Sequence, residues 1–281
     1  MHLPQNLTAI ITGASTGIGR GLATTLATIY KARMVLTARS EHELTTLKQE
    51  VEKRGGEAII YAADITTSGV TATLVKECIK NFGSLNLLVN NAGMAIPGRF
   101  DELSEEDWRK VMEVNFFSTL TLTQQALPEL KAAKPAKIVN ISSVAGKIAF
   151  PGSISYCASK FAMTALSEGL AAELASDDIQ VITVCPGWVR TEFFEKNDVP
   201  SKKNPTSIAR QSDLQGLMMK HVLSISTEQC VRKIVEALES GKSRELVLTL
   251  PGKIAERLHG TAPDLMRALA SKIPASKRRE I

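Results

Sequence analysis

Leu7–Thr8–Ala9–Ile10–Ile11–Thr12–Gly13–Ala14–Ser15–Thr16–Gly17–Ile18–Gly19 is an apolar run that breaks into a glycine cluster and resumes as an amphipathic stretch. Leu7–Thr12 reads as a buried strand, and the residues near 17–30 read as a helix. Glycines at 13, 17 and 19 let the backbone turn tightly and approach a ligand without Cβ obstruction. The following helix aims its uncapped N–H groups and positive dipole end at that turn, which suits a pyrophosphate. A glycine cluster by itself is only a turn. Between a first strand and a first helix it points to a nucleotide-binding βαβ unit.

The same alternation continues outward from this unit. Arg33–Thr37, Ala58–Ala62, Leu85–Val89, Lys137–Ile141, Gln180–Val184 and Glu245–Leu248 read as further strands, and the residues near 41–54, 67–82, 104–131, 155–176 and 227–240 as helices. Continuous apolar strands belong in a parallel sheet covered on both faces. Strand–helix alternation then gives an α/β chain: a single doubly wound, Rossmann-type domain with a mostly parallel seven-stranded sheet. Ser104 and Asp107 have the spacing of a capping box. The catalytic body is expected over residues 1–250, with a C-terminal extension over 251–281.

Composition excludes several function classes. A hydrophobic fraction of 44% is ordinary for a soluble protein, and the mean hydropathy is +0.00. The net charge of +5 is dispersed except at the C-terminus, so no nucleic-acid partner is expected. Cys78, Cys157, Cys185 and Cys230 are far apart, which reads as reduced structural thiols in a reducing, cytoplasmic setting. The first apolar run leads straight into a glycine turn, so no signal peptide is expected; no run is long enough to span a membrane. The histidines are scattered, and no metal is expected.

Three places carry chemistry. The second strand ends at Ala38–Arg39, where a carboxylate would hold ribose hydroxyls and an arginine fork accommodates a 2′-phosphate. Ala38 has no carboxylate, so NADP(H) is favoured over NAD(H). Asp64, after the third strand, is placed to meet the exocyclic amine of adenine. Tyr156 and Lys160 are four positions apart and leave one helix face together. A nearby ammonium favours the phenolate and lowers the phenol pKa from its usual value of about 10. Ser143 precedes Tyr156 by thirteen positions, enough for a strand end, a loop and a helix start to bring the hydroxyl beside the phenol. A hydroxyl, a tuned phenol and a lysine can polarise a carbonyl and move its proton. Asn115 falls within a helical stretch; it reads either as a residue that bends the helix or as a satisfied core amide.

Thr12-Gly13-x-x-x-Gly17-x-Gly19, Asn90-Asn91-Ala92-Gly93, Asn115, Ser143, Tyr156-x-x-x-Lys160 and Pro186-Gly187-x-x-x-Thr191 occur in order. Over roughly residues 5–250 the chain therefore resembles the short-chain dehydrogenase/reductase family. The resemblance implies an NADP(H)-dependent oxidoreductase that interconverts an alcohol and a ketone or aldehyde. In that reading Tyr156 is the general acid/base. Lys160 lowers its pKa and holds the nicotinamide ribose, and Ser143 bonds the substrate oxygen. Asn115 helps hold a water that relays protons from Lys160. Gly13, Ser15, Thr16, Gly17, Ile18 and Gly19 form the pyrophosphate turn. Asp64, Ile65 and Asn91 contact the adenosine half, and Val189 with Thr191 the carboxamide. The family also implies a homodimer or homotetramer formed through the helices near 104–131 and 155–176. Ala162, Ala165, Leu166, Gly169 and Leu170 could pack there or against the sheet.

Residues 188–226 form a long connection with the character of a lid; a short helix is expected over Gln211–Leu223. Its apolar residues, with Met94, Ile96, Ile148 and Phe150, read either as the lining for an apolar substrate or as packing. After Pro251–Gly252, the groups Ile254/Leu258 and Leu265/Leu269/Ile273 lie among basic residues. Two short amphipathic helices there can pack on the domain or a partner, or rest peripherally on an anionic membrane. Two other functions compete with reduction of a lipid-, steroid- or small-carbonyl-like substrate. One is 3-oxoacyl reduction; the other is cofactor sensing or scaffolding without turnover, against which the intact Ser143–Tyr156–Lys160 set argues.

Overall fold

The computed structural model describes residues 3–189 and 224–270. Seven strands form one sheet: β1 (Thr8–Thr12), β2 (Arg33–Ala38), β3 (Glu57–Ala62), β4 (Leu87–Asn90), β5 (Ala136–Ile141), β6 (Ile179–Cys185) and β9 (Arg244–Val247). The spatial order is β3-β2-β1-β4-β5-β6-β9, and every pairing is parallel. Parallel neighbours need crossover helices. These are α1 (Gly17–Tyr30), α2 (Glu41–Lys53), α3 (Val70–Phe82), α4 (Glu105–Met112), α5 (Ser118–Ala132), α6 (Ile154–Glu173) and α7 (Thr227–Glu239).

β1 shows why the strands are apolar throughout. All five of its residues are buried; Ala9 and Ile11 face one core with Leu22, Leu26 and Leu47, whereas Ile10 faces another with Leu74, Leu122 and Leu130. Period-two side chains feed two layers, and each large aliphatic contributes about 1.5–3 kcal/mol by leaving water. The strand order reverses between β1 and β4, which opens a crevice at the carboxyl ends of the strands.

The expected helix over 104–131 is three pieces. Ser104 and Asp107 form the reciprocal cap, with Ser104 N donating to Asp107 Oδ2 at 2.9 Å and Asp107 N to Ser104 Oγ at 3.2 Å. Between α4 and α5 lies a π-helical turn, Glu113–Phe117, centred on buried Asn115. The long connection begins at β7 (Trp188–Val189) and returns at β8 (Ser224–Ile225), which pair in parallel. Its interior, including the expected 211–223 helix, lies outside the described residues.

The extension carries α8 (Leu250–Thr261) and α9 (Pro263–Ala270). Thr249 caps α8 by accepting from Gly252 N at 3.3 Å, and Pro251 occupies the first turn, where its missing N–H costs nothing. Among the described residues no helix is long and apolar enough to cross a membrane.

Candidate active site

A cleft of about 380 Å³ runs along the carboxyl ends of the strands at the switch point. Arg39, Asp64 and Ile65 line one end; Ser15, Thr16, Gly17 and Ile18 line the middle; Ser143, Tyr156, Lys160 and Val189 line the other. Residues more than a hundred positions apart in sequence thus share one wall. Thr191 lies outside the described residues.

Gly13 and Gly17 line the cleft, and glycines of the turn also serve the protein's own packing. Gly13 has φ +61° and Gly17 φ +56°, both left-handed, where a Cβ would be strained. A Cβ on Gly13 would come within 2.8 Å of Asn91 Nδ2, and one on Gly19 within 2.5 Å of the Gly13 carbonyl oxygen. These two glycines make room for the protein's own packing, and Gly19 does not line the cleft. Asn91 likewise spends its amide on the turn, donating to Thr12 O at 3.0 Å and Gly13 O at 2.9 Å. The Thr12 hydroxyl accepts from Asn91 N at 2.9 Å and Ala92 N at 3.0 Å, which locks β1 to β4. Nothing in the sequence pattern marked Thr12 for that work. No side chain caps α1, so its first N–H groups face the cleft ready for an anion.

At the adenosine end, Asp64 Oδ1 accepts from Thr66 N at 2.9 Å and Thr66 Oγ1 at 2.7 Å. Burial pushes its carboxyl up, but Thr66, then Arg39 and Lys110, outweigh it and hold the pKa below the usual range. Arg39 is exposed at the cleft rim beside it. The bare helix start and the polar residues at this end of the cleft fit a dinucleotide cofactor.

At the other end the phenol of Tyr156 is hydrogen-bonded to the Ser143 side chain. Ser143 Oγ also accepts from Ala145 N at 3.0 Å, which fixes its rotamer. Lys160 Nζ donates to Ile141 O at 2.8 Å and lies 5.7 Å from the Tyr156 ring centroid. Here the structure corrects the expected tuning. Burial pushes the phenol up to about 12, against the Ser143 hydrogen bond, and the neighbouring thiols Cys157 and Cys185 add to the rise. Burial also pulls Lys160 down to about 8. Desolvation disfavours both charges, and the ammonium's hydrogen bond goes to a backbone carbonyl rather than to the phenol.

Asn115 does not line the cleft. Its Oδ1 accepts from Met94 N at 2.7 Å, and its Nδ2 donates to Met94 O at 2.9 Å and Ser159 Oγ at 2.8 Å. Both sequence readings of this residue hold: it is a satisfied core amide within a distorted turn. Met94, Ile96 and Val111 share a small core with Leu103 packed against it; of the three, Met94 also lines the cleft. Sequence reasoning missed the buried chain in which Asn90 Nδ2 donates to Asn140 Oδ1 at 2.8 Å and Asn140 Nδ2 to Ser167 Oγ at 2.9 Å. It ties β4, β5 and α6 together beneath the cleft, and only spatial register brings its members together.

The family profile described as short chain dehydrogenase matches residues 7–201. The chain belongs to the short-chain dehydrogenase/reductase family. It is 36% identical over 192 residues to human dehydrogenase/reductase SDR family member 7, spanning 66% of this chain and 56% of that protein. Oxidoreductase UcpA of Escherichia coli K12 is 34% identical over 258 residues, 90% of each chain. Among solved structures, an alcohol dehydrogenase from Thermococcus sibiricus complexed with 5-hydroxy-NADP superposes with a TM-score of 0.73 at 25% identity, covering 86% of this chain and 96% of that one. A short-chain dehydrogenase from Mycobacterium paratuberculosis bound to NAD has a TM-score of 0.74 at 24% identity, over 87% and 96% of the two chains. The latter likeness is one of fold.

Proposed function

We propose that this short-chain dehydrogenase/reductase is an NADP(H)-dependent oxidoreductase that interconverts an apolar ketone or aldehyde and its alcohol. The observation that carries the reading is the single cleft joining the bare start of α1 to the Ser143–Tyr156 pair. When bound, the nicotinamide supplies or accepts the hydride. The chain's own residues do the rest. Ser143, oriented by Ala145 N, holds the substrate oxygen, and the protonated Tyr156 phenol gives that oxygen its proton as the carbonyl is reduced. Lys160, charged below about pH 8 and one helical turn beyond Tyr156 in α6, holds the nicotinamide ribose in this reading. Arg39 at the rim favours NADP(H), since an exposed guanidinium beside Asp64 answers a 2′-phosphate.

The test is NADPH oxidation by purified protein with decanal, 2-decanone, acetophenone and cyclohexanone. Tyr156→Phe is expected to bind NADPH normally and turn over about a thousandfold more slowly; unchanged turnover would refute its role. Arg39→Asp is expected to move the kcat/KM ratio toward NADH by tenfold or more, in keeping with a charge-assisted contact of about 1.5–3 kcal/mol. Tight NADPH binding without oxidation of any carbonyl would favour the sensor reading.

The outward face of α6 supports a homo-oligomer. Phe161, Ala165 and Gly169 are exposed at helical spacing, with Phe117 exposed at 44% at the start of α5, whereas Met163, Thr164 and Ser167 face the sheet. Light scattering at micromolar concentration is expected to give a dimer or tetramer mass, and a monomer mass would remove the assignment.

A further inference from the structure

Lys147 stands four residues beyond Ser143 and takes no part in the chemistry above. Its side chain is only 16% exposed and its Nζ meets carboxylates from three elements: Glu245 of β9 at 2.6 Å, Glu168 of α6 at 3.3 Å and Glu256 of α8 at 3.7 Å. An ammonium withdrawn from water with three converging carboxylates is unlike the exposed i,i+4 pairs elsewhere on the surface. It also joins segments far apart in sequence.

The backbone between Ser143 and Lys147 is a tight 3₁₀ turn. Gly146 N donates to Ser143 O at 2.9 Å, and Lys147 N to Val144 O at 2.9 Å. Val144 N donates to Pro186 O at 2.9 Å, joining the turn to the Pro186–Gly187 wall of the cleft. The extra C-terminal helix reaches the same place. A Cβ on Gly252 of α8 would come within 2.7 Å of Val144 Cγ2, and one on Gly187 would run into the Thr249 hydroxyl that caps α8. The first turn of α8 is therefore packed against the serine turn at Val144, the residue before it caps against the cleft wall at Gly187, and Lys147 adds a charged link from the turn to α8.

We propose that Lys147 is a positioning residue for the Ser143 hydroxyl, and that through Glu245 and Glu256 it makes α8 a working part of the active site rather than an appendage. Held at both ends, by Pro186 and by the ion cluster, the turn presents Ser143 to Tyr156 in one geometry. Released at Lys147, it is free to swing about Val144, and the serine is no longer placed to receive a carbonyl oxygen. The inference rests on the catalytic role given to Ser143 above.

Two measurements test it on the full-length protein. Hydrogen exchange of the segments 142–149 and 249–258 is compared in wild type, Lys147→Met, Lys147→Arg and Glu256→Gln. Lys147→Met is expected to exchange about tenfold faster in both segments, Glu256→Gln about threefold faster, and Lys147→Arg close to wild type. Unchanged exchange in Lys147→Met overturns the proposal, and if that variant does not fold, Glu256→Gln, altered at a more exposed position, decides by the same criterion. Kinetics with a carbonyl reduced in the panel should show Lys147→Met losing about tenfold in kcat with NADPH affinity unchanged, largely restored in Lys147→Arg. Ser143→Ala/Lys147→Met should be no slower than Ser143→Ala, because the lysine acts through the serine; additive losses overturn the proposal. Full activity of Ser143→Ala would instead refute the reading of Ser143, while hydrogen exchange still reports whether the loop is pinned.

Discussion

Lys160 is 3% exposed, and burial brings its pKa to about 8 from an ordinary 10.5. Between those values the folded protein holds fewer protons than the unfolded chain, so this residue makes stability rise with pH from about 8 to 10.5. At neutral pH its charge is thus a cost to the fold, retained for its place beside Tyr156. Lys160→Met is expected to raise the melting temperature at pH 7 while lowering carbonyl reduction by about a hundredfold or more. A lower melting temperature would show that the bond to Ile141 outweighs the desolvated charge. The pair Tyr156–Lys160 was legible from its spacing, because one helical turn sets it. The direction of both pKa shifts was not, because desolvation depends on what the fold brings around the pair.

The stretch from Ser104 to Ala132 shows which parts of an element are local. Its start is written in the Ser104/Asp107 cap, and its length in apolar periodicity. The π turn at Glu113–Phe117 is set from outside, by the Met94 backbone bonding both ends of the Asn115 amide. Asn115→Ala would leave the Met94 N–H and C=O without those partners. Two buried groups at about 1–3 kcal/mol each predict a loss of about 3 kcal/mol in denaturant unfolding. A loss below about 0.5 kcal/mol would mean that the turn survives without the amide. Similarly, glycines 13 and 19 were recognisable as a turn, and the structure adds that their close neighbours include Asn91 and the turn's own carbonyl. Sequence shows that a Cβ is missing but not what fills the space.

Across the whole molecule, the buried thiols Cys78, Cys185 and Cys230 are each pushed up to about 12 from 9.0, and the phenols Tyr30 and Tyr156 up to about 12 from 10.0, chiefly by burial. The folded state therefore keeps protons that the unfolded chain releases above pH 9, and that stability is lost progressively from about 9 toward 12. Lys160 and Lys137, both lowered by burial, work in the opposite sense but are outnumbered. Calorimetry is expected to show a melting temperature that holds to about pH 9 and falls by pH 10.5; a rise over that interval would show that the thiols are not kept protonated. The cysteines read as reduced, structural thiols from their wide spacing in the sequence, and their burial turns that reading into an alkaline limit.

The sequence by itself determined the alternation of strands and helices, the turn after the first strand, and the order of the motif residues. Each depends on neighbours within a few positions: on periodicity, on capping and on the φ that glycine permits. Only the tertiary structure decided that Arg39 and Ser143 share one cleft, that Asn91 serves the turn, and that Lys147 binds the C-terminal helix to the serine loop. Those facts arise from packing and desolvation between segments remote in the chain, which no local pattern encodes.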